Sequence, residues 1–296
     1  MAARFLLLLL ALAGSGRAGA DEARVIPALY PEGPLWRGDE LYYAEMRADR
    51  VTVVDASGAR PFFAQHGCGP TAIAPYGEGF LVLCHLGARI VAVDSAGHEI
   101  RRWDRDQAGA PLLDPNDASA DGAGGVYFSD PGRFARSARA QGWIMHLSAG
   151  GALRRVAGPL RYPNGVHVAG DALYVSEHLG ARILRYDIEA PGRLGEAQTF
   201  ADLTASPRPA RYRLGYALSG PDGLEFGPDG NLYVAMYGEG RLLKFSPAGE
   251  LLGETDMPAR YLTNVAFGEG GVAMTGVFEN RSPRSAGEVR ILETLP

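Results

Sequence analysis

The chain has 296 residues, of which 46% are hydrophobic and 21% are charged, a composition typical of a folded globular protein and not of a disordered one. Its 29 basic and 34 acidic residues give a formal net charge of −5, which argues against sequence-independent binding of nucleic acid. Forty glycines and twenty prolines indicate many tight turns and therefore many short strands.

The N-terminus carries an apolar run that predicts a secretory signal peptide. Arg4 precedes the unbroken apolar segment Phe5–Leu12, and Ala18-Gly19-Ala20 supplies the small residues of a cleavage site. The run is too short to span a bilayer, and no later stretch is apolar enough to do so. We therefore expect residues 1–20 to be removed and residues 21–296 to form one exported domain, periplasmic or secreted, without a membrane span. Nothing in the sequence predicts its oligomeric state.

From Val25 onward, the chain repeats a unit of short strands separated by turns rich in glycine, aspartate and asparagine. Each unit opens with a polar or small residue, continues through an apolar strand and a tight turn, and adds further strands. Successive openers are 36, 48, 48, 58 and 42 residues apart, a spacing in the range of propeller repeats. The six openers are Glu32, Cys68, Asn116, Asn164, Asp222 and Asn264.

Four strands in each of six units predict an all-β chain folded as a six-bladed β-propeller with four-stranded blades. A β-sandwich is the alternative, and the regular strand count favours the propeller. The last unit lacks a fourth strand after Leu292, and the N-terminal segment Ala23–Ala28 is predicted to fill it. That pairing would close the ring and remove exposed sheet edges. The stretch Ser206–Gly220 interrupts the period and is predicted to form a loop over one face.

The repeat predicts a ring of polar side chains around the propeller axis, because the first strand of each blade lies innermost. Two carboxylates, Glu32 and Asp222, would meet the amide oxygens of Asn116, Asn164 and Asn264 there. Hard oxygen ligands of this kind suit Ca²⁺, Mg²⁺ or Mn²⁺ better than a structural zinc. A polar plug in a water-filled channel is the alternative interpretation.

Four motifs resemble those of the SMP-30/gluconolactonase/luciferin-regenerating-enzyme family, in an order that covers nearly all of the chain after residue 20. They are Glu32-Gly33-Pro34-Leu35-Trp36, Pro115-Asn116-Asp117, Tyr162-Pro163-Asn164-Gly165, and Pro221-Asp222-Gly223 with Asp229-Gly230-Asn231-Leu232-Tyr233-Val234-Ala235. The resemblance implies a six-bladed propeller that holds one divalent cation in its channel. Ca²⁺ is the expected ion, with Zn²⁺ or Mn²⁺ as alternatives, and the expected activity is lactone hydrolysis.

The resemblance also implies roles for individual residues. Glu32, Asn164 and Asp222 match the metal ligands, and Asn116 matches an asparagine beside the metal and the substrate. Asp222 and Asn116 are therefore the predicted catalytic residues, with Asp222 as general base and Asp117 as the alternative base. The cation is expected to act as a Lewis acid on the lactone carbonyl.

Substrate specificity is expected from residues beside Asn116 and at the ends of the second strands. Sugar-lactone members of the family often carry an arginine two residues before the Asn116 position, where this chain has Asp114. Lactones other than sugar lactones therefore stay open as substrates. His85 and His178 begin near-identical His-Leu-Gly-Ala-Arg segments in two units, and we expect them, with Tyr237, to contact substrate. Repeat ancestry alone is the other explanation of their similarity.

The two cysteines belong to neighbouring strands of the second unit. Cys68 opens its first strand and Cys84 ends its second, so the hairpin would bring both to the same end. An exported protein with two cysteines can form one disulfide, and two free thiols facing the channel are the alternative.

The sequence as a whole predicts an exported, divalent-metal-dependent hydrolase that converts a small lactone, or another small ester, to the acid. Two other functions stay open. The first is a non-catalytic propeller with a structural calcium that binds a ligand or a protein on the same face. The second is a propeller enzyme of the strictosidine-synthase type, which catalyses condensation. The dependence of activity on metal occupancy separates an enzyme from a binding protein.

Overall fold

The computed structural model of the protein describes residues 23–204, 218–279 and 285–295. The predicted signal peptide and all but the end of the predicted loop Ser206–Gly220 lie outside these ranges. Within the described chain, no helix is long and apolar enough to cross a membrane. Short 3-10 turns occur at Met46–Ala48 and His178–Gly180, and the other regular structure in the described ranges is strand.

The strands form six antiparallel sheets, which are the blades of a six-bladed β-propeller as predicted. β1 (Arg24–Leu29) belongs to the last blade, and the strands of the other blades follow one another along the chain. Blade 1 contains β2 (Pro31–Arg37), β3 (Glu40–Glu45), β4 (Arg50–Asp55) and β5 (Gly58–Ala64), and blade 2 contains β6 (Pro70–Tyr76), β7 (Gly79–Cys84), β8 (Arg89–Val93) and β9 (Glu99–Trp103).

Blades 3 to 6 continue in the same way. Blade 3 contains β10 (Ala118–Ala120), β11 (Val126–Asp130), β12 (Gly142–Leu147) and β13 (Leu153–Leu160), and blade 4 contains β14 (Pro163–Ala169), β15 (Ala172–Glu177), β16 (Arg182–Ala190), the short β17 (Arg193–Leu194) and β18 (Gln198–Asp202). Blade 5 contains β19 (Gly220–Phe226), β20 (Leu232–Tyr237), β21 (Arg241–Phe245) and β22 (Leu251–Asp256), and blade 6 contains β23 (Tyr261–Gly268), β24 (Gly271–Val277) and β25 (Ala286–Leu292).

The N-terminal strand closes the ring, which confirms the prediction for the last blade. β1 pairs antiparallel with β25, with Arg24 opposite Ile291 and Leu29 opposite Ala286. Blade 6 therefore has the order β1-β25-β24-β23, and both ends of the propeller meet in one sheet. This pairing covers an edge of β25 that would otherwise expose unpaired backbone groups.

The core lies between neighbouring blades. All six residues of β7 are buried, because both faces of this sheet are covered by other blades. Alternate side chains point to opposite neighbours: Phe80 and Val82 pack with blade 1, while Leu81 and Leu83 pack with blade 3. The strands therefore read as continuous apolar runs, and their packing holds each inner strand in a fixed position around the channel.

Glycines let the inner strands pack backbone against backbone around the channel. A Cβ atom on Gly165 would overlap the carbonyl oxygen of Asp222 in the next blade, and a Cβ atom on Gly223 would overlap the side chain of Asn264. Contacts this short cannot be relieved by rotating a side chain when backbone is the partner. The glycine after these polar openers is therefore needed for the close approach of neighbouring inner strands.

The two cysteines are joined in the structure. Cys68 precedes β6, Cys84 ends β7, and their Cα atoms are 4.5 Å apart. Neither cysteine is free. A thiol count on the unfolded, unreduced protein tests this pairing directly.

Candidate functional site

A cavity of about 240 Å³ opens at the end of the channel where the inner strands begin. Seven of the side chains singled out from the sequence line it, together with six others. Its lining residues are Tyr30, Glu32, Met46, Arg47, Thr71, His85, Asn116, Phe134, Tyr162, Asn164, His178, Asp222 and Tyr237. The structure thus brings together residues that are up to 207 positions apart in the sequence, such as Tyr30 and Tyr237.

Local irregularities in the inner strands direct the polar residues of the cavity. The pairing of β2, β14 and β19 with the next strand shifts register beside the three predicted ligands: between Glu32 and Leu35, between Pro163 and Val166, and between Pro221 and Leu224. A β-bulge of this kind redirects side chains locally and often occurs beside functional sites. The same irregularity in three blades turns Glu32, Asn164 and Asp222 toward one cavity.

The floor of the cavity contains two buried carboxylates. Glu32 is 7% exposed and Asp222 is 3% exposed, and neither side chain forms an ion pair or hydrogen bond within the described ranges. Burial raises the pKa of both groups well above the ordinary range, and the negative charge of Asp222 raises that of Glu32 further. Burying two like charges this way is unfavourable unless a cation accompanies them.

The donor set fits a hard divalent cation. Beside the two carboxylates, the amide side chains of Asn116 and Asn164 face the same cavity and are 7% and 5% exposed. A metal site made only of His, Cys, Asp or Glu needs at least three such side chains close together. The part of the chain that the structure describes contains no such group. The candidate ligand oxygens for a cation are therefore carboxylate and amide oxygens, a combination that Ca²⁺ accepts and a structural zinc does not favour.

Aromatic side chains form one wall of the cavity. Phe134, from the connection between β11 and β12, has its ring centroid 4.7 Å from that of Tyr162, 5.3 Å from His178 and 6.1 Å from Tyr237. The hydroxyl of Tyr237 lies 2.9 Å from that of Tyr30, and either oxygen can be the donor. This wall is apolar with a few hydroxyl groups, so it suits the ring or carbon chain of a small ligand.

Sequence reasoning missed part of this wall. Tyr30 and Tyr162 each precede a proline and then a predicted ligand, in Tyr-Pro-Glu32-Gly and Tyr-Pro-Asn164-Gly, and both have positive φ angles. The repeated Tyr-Pro pair could have predicted that both tyrosines line the cavity, because it places them at equivalent positions in two blades. Phe134 and Arg47 lie in connecting segments, and no motif marks them.

The two histidines at the ends of second strands both line the cavity. The Nε2–H group of His178 donates to the carbonyl oxygen of Leu218 at 3.0 Å, and burial lowers the pKa of His178 to about 4. His85 is held through Nδ1, which lies 3.0 Å from the carbonyl oxygen of Asp114. Both rings are therefore fixed by backbone acceptors, so the repeated His-Leu-Gly-Ala-Arg segment has a similar local role in both blades.

Two acidic residues considered from the sequence do not line this cavity. The carboxylate of Asp114 accepts a hydrogen bond from the Gly132 N–H, and burial raises the pKa of Asp114 to about 7. The carboxylate of Asp117 accepts from the N–H groups of Ala118 and Val166, at 3.0 Å and 3.1 Å. The expected contact of Asp114 with substrate stays a prediction. Asp117 lines the other opening of the channel, and its charge also helps to raise the pKa of Glu32 and Asp222.

That second opening is lined by Asp117, His167 and Glu225, and by Asn264, which was predicted to meet Glu32 and Asp222 but does not line their cavity. Burial, together with repulsion from Asp117, raises the pKa of Glu225 from 4.5 to about 8, although the Phe267 N–H donates to its Oε1 at 3.3 Å. A carboxyl whose pKa is higher in the folded state contributes stability below its unfolded pKa and loses it as the pH rises through the folded pKa.

We expect the substitution Glu225→Gln to remove this loss, because glutamine keeps an acceptor for Phe267 and carries no charge. Thermal unfolding followed by circular dichroism should give equal midpoints for both proteins at pH 4. At pH 9 the variant should unfold about 3 °C or more above the unsubstituted protein. An equal or lower midpoint for the variant at pH 9 would contradict the assigned burial of this carboxylate.

Fold and site together define a six-bladed propeller with a carboxylate- and amide-lined cavity at one end of its channel. The family model for the SMP-30/gluconolactonase/LRE-like region matches residues 30–277, and the chain belongs to this family.

The similarity extends to individual proteins. The chain is 31% identical over 231 residues to lactonase drp35 of Staphylococcus saprophyticus, covering 75% of this chain and 65% of that one. It is 27% identical over 271 residues to 6-deoxy-6-sulfogluconolactonase of Pseudomonas putida, covering 89% and 87%. The match thus spans slightly less than two thirds of the first relative. The calcium-binding protein regucalcin of Agrobacterium tumefaciens has the same fold, with a TM-score of 0.74 and 18% identity over 92% of this chain and 93% of that chain.

Proposed function

We propose that the protein is a divalent-cation-dependent lactone hydrolase that opens a small lactone to the hydroxy acid. The observation that carries the proposal is the pair of buried carboxylates, Glu32 and Asp222, at the floor of a ligand-sized cavity, neither with an ion pair or hydrogen bond in the described part of the chain. The names of the two relatives, a lactonase and a sulfogluconolactonase, support the reaction class. The carboxylate and amide donors support the cation.

In this proposal Glu32, Asn164 and Asp222 hold the cation, and Asn116 lies beside it. Ca²⁺ is the proposed cation, with Mn²⁺ or Zn²⁺ as alternatives, and when bound it would supply positive charge to the lactone carbonyl oxygen. The side-chain amide of Asn116 is free to donate a hydrogen bond to the same oxygen or to orient the attacking water. Neither Asn116 nor Asn164 has a side-chain partner within the described ranges that would compete with these roles.

The walls of the cavity define the substrate class in outline. A volume of about 240 Å³ accommodates a single small ring with a short substituent. The aromatic wall of Phe134, Tyr162 and Tyr237 would pack against the carbon skeleton and exclude water from the ester. Arg47, on another lining segment, would meet polar substituents. A small lactone or ester is therefore the proposed partner, and the proposed reaction involves neither nucleic acid nor a membrane.

We also propose that the protein is exported, to the periplasm or beyond, after removal of residues 1–20. The support is the apolar N-terminal run and the disulfide between Cys68 and Cys84, since disulfides persist in oxidising compartments. N-terminal sequencing of the protein recovered from each cell fraction tests this: residue 21 should be first, and recovery of an intact residue 1 from the cytoplasm would contradict it.

Hydrolysis of a lactone panel tests the proposed reaction. The purified protein would be assayed with a pH indicator on sugar, aliphatic and aromatic lactones, and the hydroxy acid product identified by mass spectrometry. The proposal expects turnover of at least one lactone, loss of turnover after chelation, and recovery with one added cation. Stoichiometric bound metal with no turnover of any lactone would instead favour a binding propeller with a structural cation.

A further inference from the structure

Lactone hydrolysis needs a group that takes a proton from the attacking water, and the following inference rests on the proposed function. Glu32 and Asp222 are poor candidates, because a carboxylate that holds a divalent cation loses basicity to it. Asp117 is also unsuitable. Its carboxylate is bonded to two backbone N–H groups and faces the other opening of the channel. The other titratable side chains of the cavity are therefore the better candidates for the base.

His85 has the geometry of a base. It follows β7 directly and lines the cavity, and its Nδ1 lies 3.0 Å from the carbonyl oxygen of Asp114. A carbonyl oxygen only accepts hydrogen bonds, so Nδ1 carries the proton and the neutral ring has its lone pair on Nε2. Nε2 has no hydrogen-bond partner within the described ranges and is not sealed from solvent.

The surroundings of His85 favour a neutral imidazole before the reaction and can stabilise a transient imidazolium during it. Burial lowers the pKa of His85, and the positive charge of Arg47 lowers it further. The carbonyl oxygens of Asp114 and Pro115 both face the ring and favour its protonated form, although only the first contact has hydrogen-bond geometry. These carbonyl groups would stabilise the imidazolium that forms when Nε2 accepts a proton.

The equivalent histidine of blade 4 cannot serve in the same way. His178 is 1% exposed, and its Nδ1 is buried without a partner among the rings of Phe134, Tyr162 and Tyr237. Its Nε2–H is occupied by Leu218. Water therefore reaches the lone pair of His85 and not that of His178, even though both begin the same five-residue segment.

His85 is also tied to the segment that carries Asn116. The carbonyl oxygen that orients its ring belongs to Asp114, two residues before Asn116, and the Thr71 hydroxyl donates to the intervening Pro115 carbonyl at 3.2 Å. One short segment therefore fixes both the imidazole and the amide side chain. This connection keeps the two groups in a constant relation at the cavity.

We propose that His85 is the general base of the reaction and that Nε2 is the atom that accepts the proton. The water O–H bond breaks, its proton passes to Nε2, and the oxygen forms a bond to the lactone carbonyl carbon. The resulting tetrahedral oxyanion collapses, the bond from that carbon to the ring oxygen breaks, and Nε2–H returns its proton to the leaving alkoxide. The sum is lactone plus water to hydroxy acid, with His85 unchanged.

The test uses two substitutions in the full protein with its cation restored. His85→Asn keeps an N–H donor where Nδ1 donates to Asp114 but has no basic Nε2, so kcat should fall about 100-fold or more while KM changes little. His85→Ala leaves space for a free ring, and added imidazole should raise its kcat at least about tenfold in a concentration-dependent way. His98→Asn makes the same change at a side chain that is 81% exposed in the same blade and should keep full activity.

The outcomes separate this inference from the proposed function. If the unsubstituted protein hydrolyses a lactone and His85→Asn does so at a similar kcat, His85 is not the base while the lactonase proposal stands. If both variants are inactive, bind the cation normally, and imidazole restores nothing, His85 has a structural role and the inference is wrong. If the unsubstituted protein hydrolyses no lactone, the proposed function fails, and the role of His85 fails with it.

Discussion

Replacing Asp222 by asparagine is expected to weaken cation binding by at least 100-fold and to lower lactone turnover by about 1,000-fold or more, because one of two anionic ligands is lost. The same substitution should stabilise the protein when no cation is bound. Asp222 raises the pKa of Glu32 by repulsion, and both groups are buried. Removing one charge relieves this cost, so the metal-free variant should unfold at a higher temperature than the metal-free parent at pH 8.

Isothermal titration with Ca²⁺ and Mn²⁺, together with thermal unfolding with and without the cation, measures both effects. Glu225→Gln is the matched control, since it removes a partly buried carboxylate of the same channel that lines the other opening. This control should bind the cation and turn over substrate like the parent. An Asp222→Asn variant with full affinity and full turnover would show that the cation, if one is bound, is held elsewhere.

The second large effect is expected from Gly165→Ala. A Cβ atom at this position overlaps the backbone of Asp222 and Gly223 in the next blade, and backbone cannot move away without separating two inner strands. We expect the variant to lose about 2 kcal/mol or more of unfolding free energy. Cation affinity should also fall at least tenfold, because the same shift displaces Asp222 relative to Asn164.

Denaturant unfolding and cation titration test this expectation, with Gly253→Ala as the control. Gly253 lies in the outer strand β22, and a Cβ atom there meets no other atom within 4 Å. That variant should match the parent in both measurements. If Gly165→Ala were as stable as Gly253→Ala and bound the cation equally well, the position of the site would not depend on the close approach of the inner strands.

The period of the polar openers was enough to predict the propeller and its closure. Glu32, Asn116, Asn164 and Asp222 recur at the start of inner strands, and a strand in that position has only the channel to face. The missing fourth strand after Leu292 had one unassigned partner, and β1 fills that place. The propeller and its closure follow from local patterns that repeat along the chain, so both can be predicted from a single sequence.

Other parts of the site depend on contacts that no repeat encodes. The proton of His85 is fixed by the carbonyl of Asp114, 29 residues away, and the ring of His178 is covered by Phe134 from another blade. The contact of Asp114 with substrate, expected from its place two positions before Asn116, stays a prediction. The hydrogen bond that its carboxylate accepts from the Gly132 N–H joins residues 18 positions apart, and no spacing pattern indicated it. Such orientations are set by tertiary packing, which composition and spacing do not specify.

We propose that a cation held by Glu32, Asn164 and Asp222 is required for lactone turnover. The most direct test adds Ca²⁺ or Mn²⁺ stepwise to chelator-stripped protein and follows bound ion and turnover of a hydrolysed lactone in the same samples. Turnover should be absent in stripped protein, rise in proportion to occupancy, and reach its maximum at one ion per chain. Full turnover by the stripped protein, or saturation with the ion without any turnover, would contradict it.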